Sequence, residues 1–442
     1  MITPFGHVSG AVRLRLMCGV AATLVTLSGC AQAVRLPPAP PASEIPDLER
    51  GLSANPGNLQ MTVRLGAAYW SAERLEEAEY TLLRARDLDP THPAPAFFLG
   101  VTYEDQGRFS EARGAFEDYL AMGASEGLQA AVRDRLLLLG RRELEAAVRA
   151  SVQAEAELAD GPLDPATVGL FPFLYTGSDD NLEPLGRALA EMLANDLSQT
   201  DRLRMVERLR VQLLLDEIAL GESGIVDAST RARAGHLLGA GRIVQGRVDG
   251  AEESLLIEAL VVRLDADAGA EPSTVSDQGP LQLLFDLQKR MALDLYASLG
   301  VELTPAERDR IDQRPTENLR ALLAFGRGLE AGDGGRFAAA VGHFAEAVQL
   351  DPGFDEAARK GEEARAMDFA TRTSTRRLAQ ADEGDLMTDP SAEDWDRLQA
   401  SLRDMRFYLP FGHHRDPVSE VSGTEGLGLG TQGSIEFIFR RP

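Results

Sequence analysis

Cys18 and Cys30 are the two thiols of the chain, and Cys30 stands where its context gives it a task. It closes Leu27-Ser28-Gly29-Cys30, after an apolar run over 16–26 that Arg13 and Arg15 precede. A basic start, about a dozen apolar residues and small residues at the end describe a secretory leader cleaved beside Cys30. The run is shorter than the ~20 residues a spanning helix needs. Other residue types offer less. His413-His414, followed by Asp416, has no third ligand at the spacing of a His-Glu-x-x-His helix, so the pair reads as surface histidines. Asp265, Asp267 and Glu271 lack the ordered spacing of a calcium hand and read as a solvated acidic turn. Gly428-Leu-Gly430-Thr-Gln-Gly433 has the Gly-x-Gly-x-x-Gly pattern without the strand before it and the helix after it that a dinucleotide site requires. Ser178 and Ser223 sit in no Gly-x-Ser-x-Gly elbow. The residues therefore predict no enzyme, no metal site and no cofactor.

The chain of 442 residues has room for two or three domains, and its 44% hydrophobic content lets them bury cores. Its formal charge is −24, and removal of residues 1–29, which carry two arginines and no acid, leaves −26. Such a surface repels polyphosphates, so nucleic acid is excluded as a partner. Lysine occurs only at Lys289 and Lys360; the excess of arginine reads as genome composition.

Leu27-Ser28-Gly29-Cys30 resembles the lipobox of bacterial lipoproteins. The resemblance implies that Cys30 is diacylated and becomes the mature N-terminus, that Cys18 leaves with the leader, and that no disulfide or thiol chemistry remains. Ala31 after the cysteine, rather than Asp, is similar to lipoproteins sorted to the outer membrane. The following Leu36-Pro37-Pro38-Ala39-Pro40-Pro41 is read as a stiff spacer with no core of its own.

Behind the spacer the periodicity turns helical and repeats. Leu65-Gly66, Tyr69, Ala78, Leu82 and Ala85, closed by Pro90, are matched 34 residues later by Leu99-Gly100, Tyr103, Ala112, Phe116 and Tyr119. This resembles tetratricopeptide spacing, with small residues where paired helices cross. Gly328, Ala331, Gly335, Ala340, Phe344, Ala347 and Pro352 keep the same offsets in a third unit. Residues 128–158, with Arg135, Arg141 and Arg142 on the polar face, are the expected cap of the first pair. Tyr69, Tyr103 and Phe116 are the expected wall of a peptide-binding groove.

In between, short apolar runs alternate with amphipathic helices. Strands are expected over 168–173, 203–207, 242–248 and 255–264, and helices over 185–197, 211–220, to about 238, and 281–299. Val168-Gly-Leu-Phe-Pro-Phe, Arg204-Met-Val-Glu-Arg-Leu, Leu213-Leu-Leu-Asp-Glu-Ile and Ala234-Gly-His-Leu-Leu-Gly-Ala-Gly-Arg-Ile-Val-Gln-Gly-Arg-Val carry a resemblance to the curli-secretion-channel (CsgG) family and the TolB N-terminal domain. One departure matters: between Arg247 and Leu281 the sequence predicts one strand followed by a polar, acidic stretch. Transmembrane hairpins need paired strands of ~9–11 residues, so the resemblance implies the periplasmic fold and not the pore.

The expected fold is thus α+β and multidomain, with tetratricopeptide repeats flanking a small α/β sandwich on a mixed sheet. Its parts are a leader (1–29), acylated cysteine and spacer (30–47), two repeats (48–125), connector helices (126–160), the α/β domain (165–300), a third repeat (301–365) and a tail (366–442). The tail carries a Gly-rich loop and two candidate strands, at Arg406-Phe-Tyr-Leu-Pro-Phe and Ser434-Ile-Glu-Phe-Ile-Phe. The expected function is a non-enzymatic, outer-membrane-anchored scaffold on the periplasmic face, in an envelope assembly or secretion system. Its partners would be envelope proteins or peptides held in the repeat grooves, and its only membrane contact the lipid (palmitate-type) anchor. Two alternatives stay open: a homo-oligomeric, ring-forming export accessory, and a ligand-sensing or enzymatic α/β module.

Overall fold

The computed structural model describes residues 36, 38–123, 126–155, 163–218, 228–251, 253–264 and 271–380. Its first part is helical: α1 (Ile45–Ala54), then the hairpins α2/α3 (Leu59–Ser71, Leu75–Leu88) and α4/α5 (Pro93–Asp105, Phe109–Ala121). Local chemistry starts these helices. The Asn58 side chain accepts from the Met61 amide at 3.0 Å, and His92 Nδ1 accepts from the Ala94 amide with Pro93 at the first helical position. The hairpins then close through small residues. A Cβ on Gly66 would stand 2.6 Å from Leu82, and one on Gly100 would stand 2.6 Å from Phe116. A third hairpin, α12/α13 (Leu319–Asp333, Phe337–Leu350), repeats the device, with Gly328 2.5 Å by the same construction from Phe344. The turn of each hairpin needs a left-handed residue. Gly107 (φ 74°) and Gly335 (φ 70°) supply it, whereas the first hairpin places Glu73 there at φ 59°.

Between the second and third hairpins lies a six-stranded mixed sheet of order β3-β1-β4-β5-β6, with β2 also pairing β4. Strands β1 (Asp164–Leu170), β2 (Leu174–Tyr175) and β3 (Arg204–Met205) run parallel to their neighbours, and β4 (Ala240–Ala251), β5 (Ser254–Arg263) and β6 (Ser273–Gly279) form an antiparallel meander. Val244, Val248, Leu255, Ile257, Ala259 and Val261 face α7 (Leu185–Leu197) and α10 (Leu284–Ser298) in one core. Phe171, Ala240 and Ile243 face α8 (Arg208–Glu217) and α9 (Ala228–Leu238) in another. The expectation of one strand between Arg247 and Leu281 is corrected: β6 pairs the outer side of β5 from Leu255 to Val261. Only Val275 in Ser273-Thr-Val-Ser-Asp-Gln-Gly is apolar, because an edge strand needs one side chain in the core while polar residues protect its rim.

The helical parts are not separate modules. α6 (Glu126–Gln153) caps the second hairpin, and α14 (Asp355–Arg372) returns from the third hairpin to lie along it. α15 (Thr375–Gln380) crosses α4. Arg135, 4% exposed, donates to Glu104 of α4 at 2.8 Å and to the carbonyls of Ala370 and Thr373 at 2.6 and 2.5 Å. Arg142 reaches the same carboxylate at 2.7 Å, and Arg141 donates to the carbonyls of Gly332 and Asp333 at the end of α12. The expected polar face of a capping helix is therefore a seam between elements. The spacer also departs from expectation: the Ala39 amide donates to the Ala379 carbonyl, Pro40 is buried, and Leu36 packs on the first hairpins. Residues 366–380, placed by the sequence reading in a tail, belong to α14 and α15, and both candidate tail strands lie outside the described residues.

Two outcomes follow from this packing. Arg135→Ala leaves Glu104 buried with one partner fewer and should cost about 3–5 kcal/mol in urea unfolding, whereas the double change Glu104→Gln, Arg135→Met should lose much less. Glu73→Gly relieves a left-handed side chain on an exposed turn and should raise stability by roughly 0.5–1 kcal/mol in the same assay.

Candidate functional site

Cys30 lies outside the described residues. The three expected groove residues are placed, and all three are buried. The Tyr69 hydroxyl donates to Glu49 at 2.7 Å, and the Arg74 guanidinium covers its ring 4.4 Å from the centroid. Burial, helped by the Glu49 bond and charge, pushes the Tyr69 hydroxyl up to about 12. Tyr103 repeats the arrangement under Arg108, and burial raises its hydroxyl too. Phe116 is wholly buried under Gly100 and beside Phe97. All three pack the hairpins internally: Phe116 fills the space opposite Gly100, and the two tyrosine rings lie under arginines of the turns. The helix they flank, α4, is buried from Pro93 to Glu104, and part of its cover is α15. Leu378 and Ala379 join the core of the first hairpins, Thr375 donates to Asp105 at 2.9 Å, and Trp70 Nε1 donates to the other oxygen of that carboxylate at 2.7 Å. The chain thus lays its own segment across these helices.

A second concentration of charge sits where the sheet meets the helices. Arg208, at the start of α8, donates to Asp333 at 2.6 Å and stands 2.7 Å from Glu191 of α7. Arg187 of α7 adds a donor to Asp333 at 3.1 Å. Burial pulls the Arg208 guanidinium down, but the charges of Asp333 and Glu191 outweigh it and hold it up. One arginine therefore fixes α7, α8 and α12 together. Beside it opens a cavity of about 320 Å³ between α6, α12, α13, α14 and the β3–α8 connection. Its wall is largely apolar, with Leu137, Leu329, Phe337, Phe344 and Met367; Glu207, Lys360 and Glu363 supply polar groups. Glu207 is exposed, and the protein packed beside it raises its carboxyl, opposed in part by Lys360. Such a cavity can hold a small molecule with an apolar body and one polar end. Among the described residues no three His, Cys, Asp or Glu side chains are grouped to hold a metal ion. The sequence places Glu207 at the end of an expected strand over 203–207 and Arg208 in a motif of the family resemblance, and gives neither a role in a site. The only available signal was two adjacent charges directly after a short apolar strand.

Residues 173–255 match the family model of the curli production assembly/transport component CsgG. The matched segment runs from just before β2 to the start of β5, so it holds Arg187, Glu191, Glu207 and Arg208 and none of the hairpins. A solved structure, the C-terminal domain of LpoB from Salmonella enterica, aligns at 11% identity with a TM-score of 0.22, covering 30% of this chain and 94% of that one. No curated protein matches the chain. Among the described residues no helix is long and apolar enough to cross a membrane.

The buried Tyr69 hydroxyl sets an alkaline limit. An unfolded tyrosine ionises near ~10, while the folded chain holds this proton to about 12. The contribution is fully present below pH ~10 and is lost as pH rises through the folded value. Urea unfolding between pH 8 and 12 should show that loss, and Tyr69→Phe should remove part of it, the remainder belonging to Tyr103, Tyr175 and Tyr296, whose hydroxyls burial also raises.

Proposed function

We propose that the chain is a non-enzymatic, outer-membrane-anchored lipoprotein of the periplasmic face, acting as a protein–protein interaction scaffold in an envelope assembly or secretion system. The observation that carries this reading is the match of residues 173–255 to an assembly/transport family, on a sheet built into helical hairpins. We read the hairpins as tetratricopeptide repeats, from their shared 34-residue offset and the shared glycine-to-large-residue contact. Stacked helical repeats serve as binding surfaces, and no cofactor is needed for that role. With α15 across α4, a partner takes another face of the hairpins or displaces α15. The anchor is the acylated Cys30. Ala39 docks on the body, and the nine steps of chain between it and Cys30 reach at most roughly 32 Å when fully extended, which keeps the first hairpins close to the bilayer. A lipoprotein's multiple acyl chains hold stably where a single chain would not.

Palmitate labelling and membrane fractionation test the anchor. The wild-type chain should take up label and sediment with the outer membrane, and Cys30→Ser should be unlabelled and soluble in the periplasm. A Cys30→Ser protein that still sediments with the outer membrane sinks the reading.

A further inference from the structure

The junction cavity exceeds the voids that close packing leaves, which rarely outgrow one water molecule. Its volume of about 320 Å³ has room for roughly ten waters at ~30 Å³ each. The apolar wall is also incompletely covered. Leu136, Leu144, Leu209 and Phe337 on the lining are half-buried, and Leu137, 42% exposed, marks an opening to solvent.

The charged side chains around this wall are committed to one another. Arg113 pairs with Glu143 at 3.2 Å, Arg208 with Glu191 and Asp333 at 2.7 and 2.6 Å, and Lys360 with Glu363 at 3.4 Å. Arg141 is held by Glu145 and by the carbonyls of Gly332 and Asp333. Glu207 is exposed to solvent. Water inside the cavity needs about two to four polar partners per molecule and finds few against leucine and phenylalanine. An apolar group that displaces such water gains affinity. A charged ligand loses its hydration there and meets no uncommitted counter-charge in return.

We propose that this cavity binds an uncharged apolar molecule, its body against Leu329, Phe337, Phe344 and Met367 and any hydroxyl it carries at the Leu137 opening. A cavity of about 150 Å³ takes one benzene ring, so the space here suits roughly a dozen carbon atoms. The bound molecule touches α6 on one side and α12, α13 and α14 on the other, and holds them together. The site is independent of the anchor at Cys30.

The test uses the full chain carrying Cys30→Ser, so that no alkyl detergent competes for the cavity. Three probes of one stem length, n-octanol, octanoate and n-octylamine, are titrated near neutral pH by calorimetry, each below its micellar concentration. Octanol should bind at one site per chain, and both charged probes at least about tenfold more weakly. Gly140 of α6 lines the cavity, and a Cβ there meets nothing within 4 Å, so Gly140→Leu fills the space and should abolish octanol binding. Gly342 of α13 has equally open surroundings outside the lining, and Gly342→Leu should leave the affinity unchanged. The proposal is overturned by a charged probe that binds as tightly as octanol, by absence of octanol binding, by octanol binding unchanged in Gly140→Leu, or by its equal loss in Gly342→Leu. If Gly140→Leu does not fold, the comparison of the three probes decides.

Discussion

The guanidinium of Arg135 is the constraint on which the arrangement of the helices depends. The last carbonyls of a helix have no partner within it, and a buried helix end must find one. α14 ends inside the protein against α6, and Arg135 supplies donors to Ala370 and Thr373 while its charge rests on Glu104 of α4. One side chain thereby ties α4 and α6 to a helix end more than two hundred positions further along the chain. A lysine could not do this, because its donors radiate from one atom, whereas the guanidinium fork reaches a carboxylate and two carbonyls in different directions. Arg141 closes the end of α12 by the same means, and Arg208 binds the Asp333 carboxylate at that end. The arginine excess, read from the sequence as genome composition, includes three residues with structural roles that lysine does not fill.

That seam also explains why the sequence was legible where it was. The helix over 185–197 and the glycine-to-large pairs of the hairpins are local regularities, and both are found as expected. The polar residues of α6 have the periodicity of a solvated face, and the periodicity is real. What it cannot carry is the identity of the element across from that face, since α14 comes from far along the chain. The same holds for Tyr69 and Tyr103. Aromatic residues at helical spacing are equally suited to a groove and to a hairpin core, and the arginines that cover their rings, Arg74 and Arg108, lie in the turns. β6 was missed for the opposite reason: its pattern is set by the rim of a sheet, where few apolar residues are needed.

The α/β region was legible as a family resemblance, and the family model covers part of it, yet its core does not stop where strands and helices give way to hairpins. Ala321, Leu322, Phe325 and Leu329 of α12 belong to the same buried cluster as the sheet residues Val244 and Ile257. Gly326 lets α12 approach so closely that a Cβ there would stand 2.2 Å from the Pro184 carbonyl. A division near residue 300 therefore cuts one core into two. The face of α7 that α12 covers would become solvent-exposed apolar surface, and the Arg187–Asp333–Arg208 cluster would lose the carboxylate that both arginines share. Coupling between the sheet and the hairpins follows from the packing itself: displacement of α12 disturbs the sheet's core, the arginine cluster and the walls of the junction cavity together.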